Sequence, residues 1–474
     1  MQSVAESLER LGDLARTPSV ARLADAFAAA GHELALVGGP VRDALLGRPV
    51  HDLDFTTDAR PDDILRIVSP IADAVWDVGR QFGTIGARLG DDTVEITTYR
   101  SDSYDGTTRK PEVEFGDTLE GDLMRRDFTV NALALRLPEV RLVDPSGGVE
   151  DLIAEVLRTP STPQISFGDD PLRMMRAARF TAQLGFAVDE ETREAMAAMA
   201  DRMEIVSAER IRDEFGKLLM ADEPRAGLEL LVESGLAELV IPEIPALRLE
   251  ADEHHHHKDV YQHSLTVLDQ AIGYEKERHP GEAPDVVLRL AAILHDIGKP
   301  ATRRFEPGGA VSFYHHDVVG AKLAKKRLTA LRFDKATIDA VARLIELHLR
   351  FFGYADAAWT DSAVRRYVRD AGPQLERLHM LTRADVTTRN RRKADRLGFA
   401  YDDLESRIRE LQEQEELDAV RPDLNGEQVM SILGLRPGRE VGQAMKFLLE
   451  LRLDEGPVGE EEATRRLLAW WQSR

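Results

Sequence analysis

The stretch from Leu34 to Phe55 constrains the fold of this chain more than any other. Leu34-Ala-Leu-Val37 is a short apolar run bounded by glycine, which reads as a buried strand. Gly38-Gly39 stops it, and Pro40 to Leu46 reads as a helix with proline in its first turn. His51 to Thr56 then alternates, with Leu53 and Phe55 on one face and Asp52 and Asp54 on the other. A glycine pair lets backbone approach a phosphate, and the helix N-terminus behind it supplies amide donors. Arg42 adds a guanidinium suited to bidentate phosphate contact. Two carboxylates on one strand face can hold two Mg2+ for in-line phosphoryl transfer. Glu95, in Val94-Glu-Ile96, is a candidate third carboxylate. The candidate site therefore starts from Gly38, Gly39, Arg42, Asp52, Asp54 and Glu95.

The surrounding pattern is mixed. Residues 18–31 place Val20, Leu23, Ala24, Phe27 and Ala28 on one helical face, and Gly31 ends that helix. Strands fit Thr84–Leu89, Thr93–Thr98 and Ala132–Leu137. From Asp151 onward the pattern is almost wholly helical, punctuated by Pro and Gly. The expected class is α+β: a mixed-sheet head, then an all-α body. The expected domains are a head at 1–150, a helical neck at 151–250, a third domain at 251–400 and a helical tail at 401–474.

Further stretches carry a resemblance. Arg125-Arg-Asp-Phe-Thr-Val-Asn131-Ala, Asp144-Pro-Ser-Gly-Gly-Val-Glu-Asp151-Leu, Asp169-Asp-Pro-Leu-Arg173-Met-Met-Arg176-Ala-Ala-Arg179-Phe and Ser207-Ala-Glu-Arg210-Ile follow the head in order. Together with the Gly-Gly and Asp-x-Asp elements they resemble the motifs of the polymerase-beta-type nucleotidyltransferases. More narrowly, they resemble the bacterial class II tRNA CCA-adding enzyme and poly(A) polymerase family, over about residues 30–220. Asp169 stands where that family commonly has Glu. The resemblance implies that Gly39, Arg42 and Arg126 bind nucleotide, Asp170 and Arg173 read its base, and Arg176 and Arg179 hold phosphate. It implies that the loop Ser101–Asp117 helps the switch from C to A addition, with Arg100, Arg109 and Lys110 as candidate grips on RNA or triphosphate.

The base-reading assignment also follows from chemistry. Arg173, Arg176 and Arg179 recur every third residue and are expected to share one helical face with Asp170. Cytosine and adenine each present an amino donor beside a ring-nitrogen acceptor, whereas uracil and guanine present the reverse. One fixed Asp–Arg pair thus accepts CTP and ATP and leaves buried polar groups unpaired against UTP or GTP.

A second constellation is dispersed: His263, His295-Asp296-Ile-Gly-Lys299, His316, His348 and Asp385. His295-Asp296 ends the apolar run Val286–Leu294, where charged groups are costly unless used. Imidazoles and carboxylates suit Mn, Fe, Ni or Zn. The order resembles the HD phosphohydrolase superfamily. That implies His263, His295, Asp296 and Asp385 as primary metal ligands, His316 and His348 for a second metal or phosphate, and Lys299 facing phosphate. The other reading is a domain kept only as an RNA scaffold. His254–His257 reads as a solvated loop.

Net charge first argues against RNA. The chain carries 62 Lys and Arg against 84 Asp and Glu, a formal charge of −22. Its distribution reverses the argument: residues 320–396 hold 18 basic and 9 acidic residues, a net of +9, leaving −31 elsewhere. Lys325, Lys326, Arg327, Arg365, Arg366, Arg391, Arg392 and Lys393 are candidate RNA contacts. Cysteine is absent, which excludes disulfides, thiolate metal sites and a cysteine nucleophile. No signal peptide and no run of roughly 18 apolar residues is present, so a cytoplasmic protein with no membrane or DNA partner is expected. The expected function is addition of CCA to tRNA from CTP and ATP, with Mg2+ in the head and a transition metal in the HD domain. The alternatives are a poly(A) polymerase, a CC-only or A-only enzyme, or a nucleotidyltransferase that modifies a signalling protein. Oligomeric state is not legible.

Overall fold

The computed structural model describes residues 4–50, 52–100, 115–116, 118–248, 259–307, 311–351, 353–354, 359–387, 391–415 and 421–473. Arg109, Lys110 and His254–His257 lie outside the described residues. The chain divides into two compact units, Met1–Pro242 and Glu243–Arg474. Most of the expected neck thus belongs to the same unit as the head, and the third segment and tail share the second.

The first unit opens with helices α1 (Val4–Ala15) and α2 (Pro18–Ala29). α2 buries Val20, Leu23, Ala24 and Phe27, the face that its spacing sets. Then come β1 (Leu34–Val37), α3 (Gly39–Leu46), β2 (Leu53–Thr57), α4 (Pro61–Val68), β3 (Ala74–Trp76), β4 (Thr84–Leu89), β5 (Asp92–Thr98), α5 (Leu119–Met124), β6 (Ala134–Leu137) and β7 (Arg141–Val143). The strands form one sheet in the order β3-β4-β5-β2-β1-β6-β7. β1 is buried at all four positions because β2 and β6 flank it and both its faces are covered. β2 and β5 pair in parallel. The expected mixed-sheet head is therefore present.

α6 (Gly148–Ala154), β8 (Val156–Leu157), α7 (Pro163–Asp169), α8 (Leu172–Leu184), β9 (Ala187–Val188), α9 (Glu190–Ala198), α10 (Ala208–Leu219), α11 (Arg225–Glu233) and α12 (Leu236–Val240) complete the unit. Gly227 sets the approach of α11 to α8, since a Cβ there would lie 2.4 Å from the Ala178 carbonyl oxygen. Asp170 corrects an expectation. It does not sit on the helical face of Arg173, because α8 begins only at Leu172 and Asp170 is extended backbone. Its Oδ1 instead accepts the Leu172 N–H at 3.1 Å, satisfying an orphan donor of the first turn.

Among its described residues the second unit is helical apart from one small hairpin. It contains α13 (Val260–Arg278), α14 (Val286–Leu294), α15 (Lys299–Thr302), β10 (Arg304–Phe305), β11 (Val311–Ser312), α16 (His316–Ala330), α17 (Lys335–Leu347), α18 (Asp361–Ala371), α19 (Leu375–Ala384), α20 (Arg391–Glu415), α21 (Gly426–Leu433), α22 (Arg439–Glu455) and α23 (Glu460–Gln472). α14 is buried from Val287 to Leu294, and its one charge, Arg289, is neutralised by Glu275 at 2.9 Å. The last three helices have a core of their own around Val429, Ala444, Leu448, Ala463 and Leu467. Trp470 packs there, stacked on Phe447 at 4.8 Å. Among the described residues no helix is long and apolar enough to cross a membrane.

His379 on α19 gives this unit a defined acid sensitivity. It is buried, its ring stacks nearly parallel to Tyr367 with centres 6.1 Å apart, and its Nε2 has no hydrogen-bond partner. Burial pushes its pKa down to about 4. A histidine whose folded pKa lies below its unfolded value costs stability as pH falls from about 6.5 towards 4. His379→Phe should therefore lose about 2 kcal/mol less than the parent protein between pH 7 and pH 5, read from urea unfolding at both values.

Candidate active site and metal centre

The head site is built where β1, β2 and β5 run side by side. β1 ends in Gly38, whose φ of +74° suits glycine, and a Cβ there would press within 3.1 Å of an Arg126 guanidinium nitrogen. The parallel register of β2 and β5 sets Asp54 directly opposite Glu95. Asp52 stands one residue ahead of β2 and is exposed. Burial raises the pKa of Asp54, and the Glu95 charge raises it further, against the pull of Arg126. Carboxylates crowded so closely resist shared ionisation until a cation joins them. The donor set thus fits a hard divalent cation.

A cleft of about 560 Å³ opens here. Its lining brings Asp54 and Glu95 together with Arg100, Asp122, Arg125, Arg126, Asp127, Asp170, Arg173 and Arg176. Arg173 is held by the Ser166 hydroxyl at 3.0 Å and the Arg125 carbonyl at 2.5 Å. Asp170 is held by Arg210 at 2.7 Å. Arg126 donates to Asp122 at 3.2 Å.

Three arginines are placed otherwise than expected. Arg42 is buried, and its fork faces Asp43, with Nε to Oδ1 at 2.8 Å and a terminal nitrogen to Oδ2 at 3.0 Å. That is the bidentate face foreseen for phosphate. Arg176 meets Asp127 at 2.6 Å, and Arg179 meets Glu214 at 2.7 Å. Neither Arg42 nor Arg179 lines the cleft. Asp127, Asn131 and Glu214 were not singled out as site residues. Asp127 and Asn131 lie inside the Arg125–Asn131 motif, and Glu214 follows Arg210 by one helical turn.

The second unit gathers its histidines and aspartates into two groups, His263–His295–Asp385 and Asp296–His316–His348. Asp296 joins them. Its Oδ2 lies 3.2 Å from His295 and 3.6 Å from His263, while its Oδ1 lies 3.3 Å from His316. Lys299 donates to Asp296 at 2.6 Å. His263 meets Asp385 at 2.9 Å. His295, His316 and His348 each turn Nδ1 to a carbonyl three residues back, Ala292, Phe313 and Ile345 respectively. Their Nε2 atoms are buried without a hydrogen bond. Anchored Nδ1 and bare inward Nε2 is the arrangement of metal-ligating imidazoles. The donors fit a divalent transition metal.

Electrostatics agree. Burial alone would keep His295 neutral, but Asp296 and Asp385 push it up to about 10. Burial, with the His295 charge beside it, pulls His348 down to about 4. Burial works against ionising Asp296 and Asp385, yet the surrounding histidines hold both well below the usual carboxylate range. Two ionised carboxylates thus face the histidines of the centre.

The basic segment is divided. Lys326, Arg391, Arg392 and Lys393 are exposed. Arg365 is a correction: it is buried and donates to the Leu453 carbonyl at 3.1 Å, which ties α18 to α22. Arg366 pairs with Glu450 and Asp454, Arg327 with Glu243, and the exposed Lys325 with Asp339.

Comparison with known proteins agrees with this geometry. Residues 34–158 match the poly A polymerase head domain, 185–247 a probable RNA and SrmB-binding site of polymerase A, and 260–390 the HD domain. An A-adding tRNA nucleotidyltransferase of Deinococcus radiodurans is 35% identical over 92% of this chain and 95% of its own. A CC-adding tRNA nucleotidyltransferase of Thermus thermophilus is 32% identical over 92% of this chain and 93% of its own. The CCA-adding enzyme of Bacillus subtilis is 41% identical, over 44% of this chain and 52% of its own. The fold resembles that of the Bacillus stearothermophilus CCA-adding enzyme solved with CTP, with a TM-score of 0.68 and 24% identity over 97% and 99% of the two chains.

Proposed function

Because the chain belongs to the bacterial tRNA nucleotidyltransferase family, with a poly(A) polymerase-type head and an HD domain, we propose that it adds CCA to the 3′ end of tRNA from CTP and ATP. The observation that carries this reading is the presence of Asp170 and Arg173 in the same cleft as Asp54 and Glu95. Asp170 accepts from the base amino group, and Arg173 donates to the neighbouring ring nitrogen. Arg210, Ser166 and the Arg125 carbonyl fix both side chains before nucleotide arrives, so recognition needs little reorganisation. Arg126, beside Gly38 at the cleft, contacts the triphosphate.

Heads of this kind depend on divalent metal. Asp52 and Asp54, flanked by Glu95, would hold Mg2+, which supplies activation of the tRNA 3′-hydroxyl and charge for the leaving pyrophosphate. In the HD domain His263, His295, Asp296 and Asp385 would hold one transition metal (Mn, Ni, Fe or Zn), and His316 and His348 a second. Metal there supplies an activated water for phosphoester hydrolysis. Lys299, held against Asp296, faces the phosphate.

A second reading has support: two relatives similar over almost their whole length are an A-adding and a CC-adding tRNA nucleotidyltransferase. Incubating the protein with tRNA lacking its 3′ end, with CTP and ATP separately and together, decides between them. Sequenced products ending in CCA are expected. Products ending in CC whether or not ATP is present, or A added only to tRNA already ending in CC, would replace this reading with a single-step one.

The exposed Arg391, Arg392 and Lys393 open α20 and are the proposed grip on the tRNA backbone. Changing all three to Ala should weaken tRNA binding and flatten its salt dependence by roughly one slope unit for each phosphate left without a cation. Filter binding across a salt series checks this.

A further inference from the structure

Five polar side chains of the head, Arg42, Asp43, Asn131, Asp127 and Arg176, form one continuous hydrogen-bonded chain. Arg42 donates to Asp43 at one end and to Asn131 Oδ1 at 2.6 Å. Asn131 Nδ2 donates to Asp127 Oδ1 at 3.1 Å. Arg176 Nε donates to Asp127 Oδ2 at 2.8 Å. The guanidiniums of Arg42 and Arg176 lie over the same Phe180 ring, each 5.4 Å from its centre. One end of the chain sits on α3, behind the Gly38-Gly39 turn. The other sits on α8, which carries Arg173.

Asn131 is the neutral link of this chain, and its two amide atoms face opposite charges. It is buried, at 6% exposure. The oxygen must point to the Arg42 cation and the nitrogen to the Asp127 carboxylate, because the flipped amide would set donor against donor and acceptor against acceptor. An acid here would oppose Asp127, and a base would oppose Arg42. Only a side chain with one donor and one acceptor at this separation satisfies both neighbours. Arg173 leans on the same segment through the Arg125 carbonyl.

We propose that Asn131 is a positioning residue, linking the Gly38-Gly39 turn to the base-reading helix so that the triphosphate and the base are presented in one register. This rests on the assignment of Asp170 and Arg173 as base readers. The link costs little to maintain in a dry interior and is costly to break, since both partners would be left unpaired. It makes Asn131 a determinant of base discrimination although it touches no base.

The test is steady-state incorporation of CTP and of UTP into tRNA lacking its 3′ end, with Tm measured on each protein. Asn131→Asp keeps an acceptor for Arg42 but sets a carboxylate against Asp127. Its KM for CTP should stay within about threefold, while the CTP over UTP ratio of kcat/KM falls at least tenfold. Asn131→Leu cuts both links and should raise KM for CTP at least tenfold as well. Were the role merely structural, Tm would fall and both nucleotides would slow by one factor with the ratio unchanged, which overturns the proposal. If Asn131→Leu shows no cooperative transition, Asn131→Asp alone decides. A parent protein that does not discriminate CTP from UTP would refute the base-reading assignment itself, a result distinct from a parent that discriminates and variants that discriminate equally.

Discussion

Asp54→Asn is expected to abolish nucleotide incorporation and to raise the Tm of the metal-free protein. The first effect follows from the removal of one of two strand-borne carboxylates at the cleft, for a loss of at least about a thousandfold. The second follows from the price the fold sets on that charge. Burial and the facing Glu95 raise the Asp54 pKa, so its ionised form destabilises the folded head at neutral pH. A carboxyl with a raised folded pKa regains stability as pH falls through that pKa, and the amide removes the dependence altogether. Calorimetry at pH 7 with chelator, beside an incorporation assay, checks both halves. A lower Tm would mean that the site is not poised against its own charge.

Asp296→Asn does the opposite. It should cost the metal-free protein about 3–5 kcal/mol, because it removes the buried anion that lies against Lys299 and His295. It should also abolish tight Mn2+ binding, since Asp296 lies within 3.6 Å of histidines from both ligand groups. Titration calorimetry with Mn2+ and urea unfolding of the metal-free form read the two effects. Unchanged stability would show that the centre does not depend on this carboxylate for charge balance. The contrast with Asp54 is instructive: Asp54 is half-buried and Asp296 fully buried, and the sign is set by whether carboxylates or cations surround each.

Much of this was legible because identity and period carry it. Leu34–Val37 was readable to the residue, since a strand covered on both faces is a continuous apolar run. Thr84–Leu89 was bounded as observed, between Gly83 and Gly90. β3 and β7 were not read: three residues each, at the sheet edges, give too little pattern. The Asp170 error has a physical source, because a period of three from Asp170 to Arg179 does not reveal where a helix begins. His295 and Asp296 stood out because charged groups are rare at the end of an apolar run, and the resemblance to the HD superfamily implied His263, His316, His348 and Asp385 with them. Arg365 was misassigned because charge says nothing of partners, and a guanidinium can end on backbone carbonyls in the interior. Asn131 and Glu214 escaped notice as residues whose meaning lies wholly in what they touch.

The parallel pairing of β2 and β5 bears on the order in which the head assembles. Parallel neighbours cannot be joined by a tight turn, so Asp54 and Glu95 meet only after α4, β3 and β4 have been laid down between them. β5 has a local antiparallel partner in β4 and reaches β2 by a longer closure. The cation site is thus among the non-local pairings of the domain. A nascent head, with β2 formed but β5 still unmade or undocked, holds Asp54 without Glu95 beside it. Competence to transfer a nucleotide arrives with completion of the sheet.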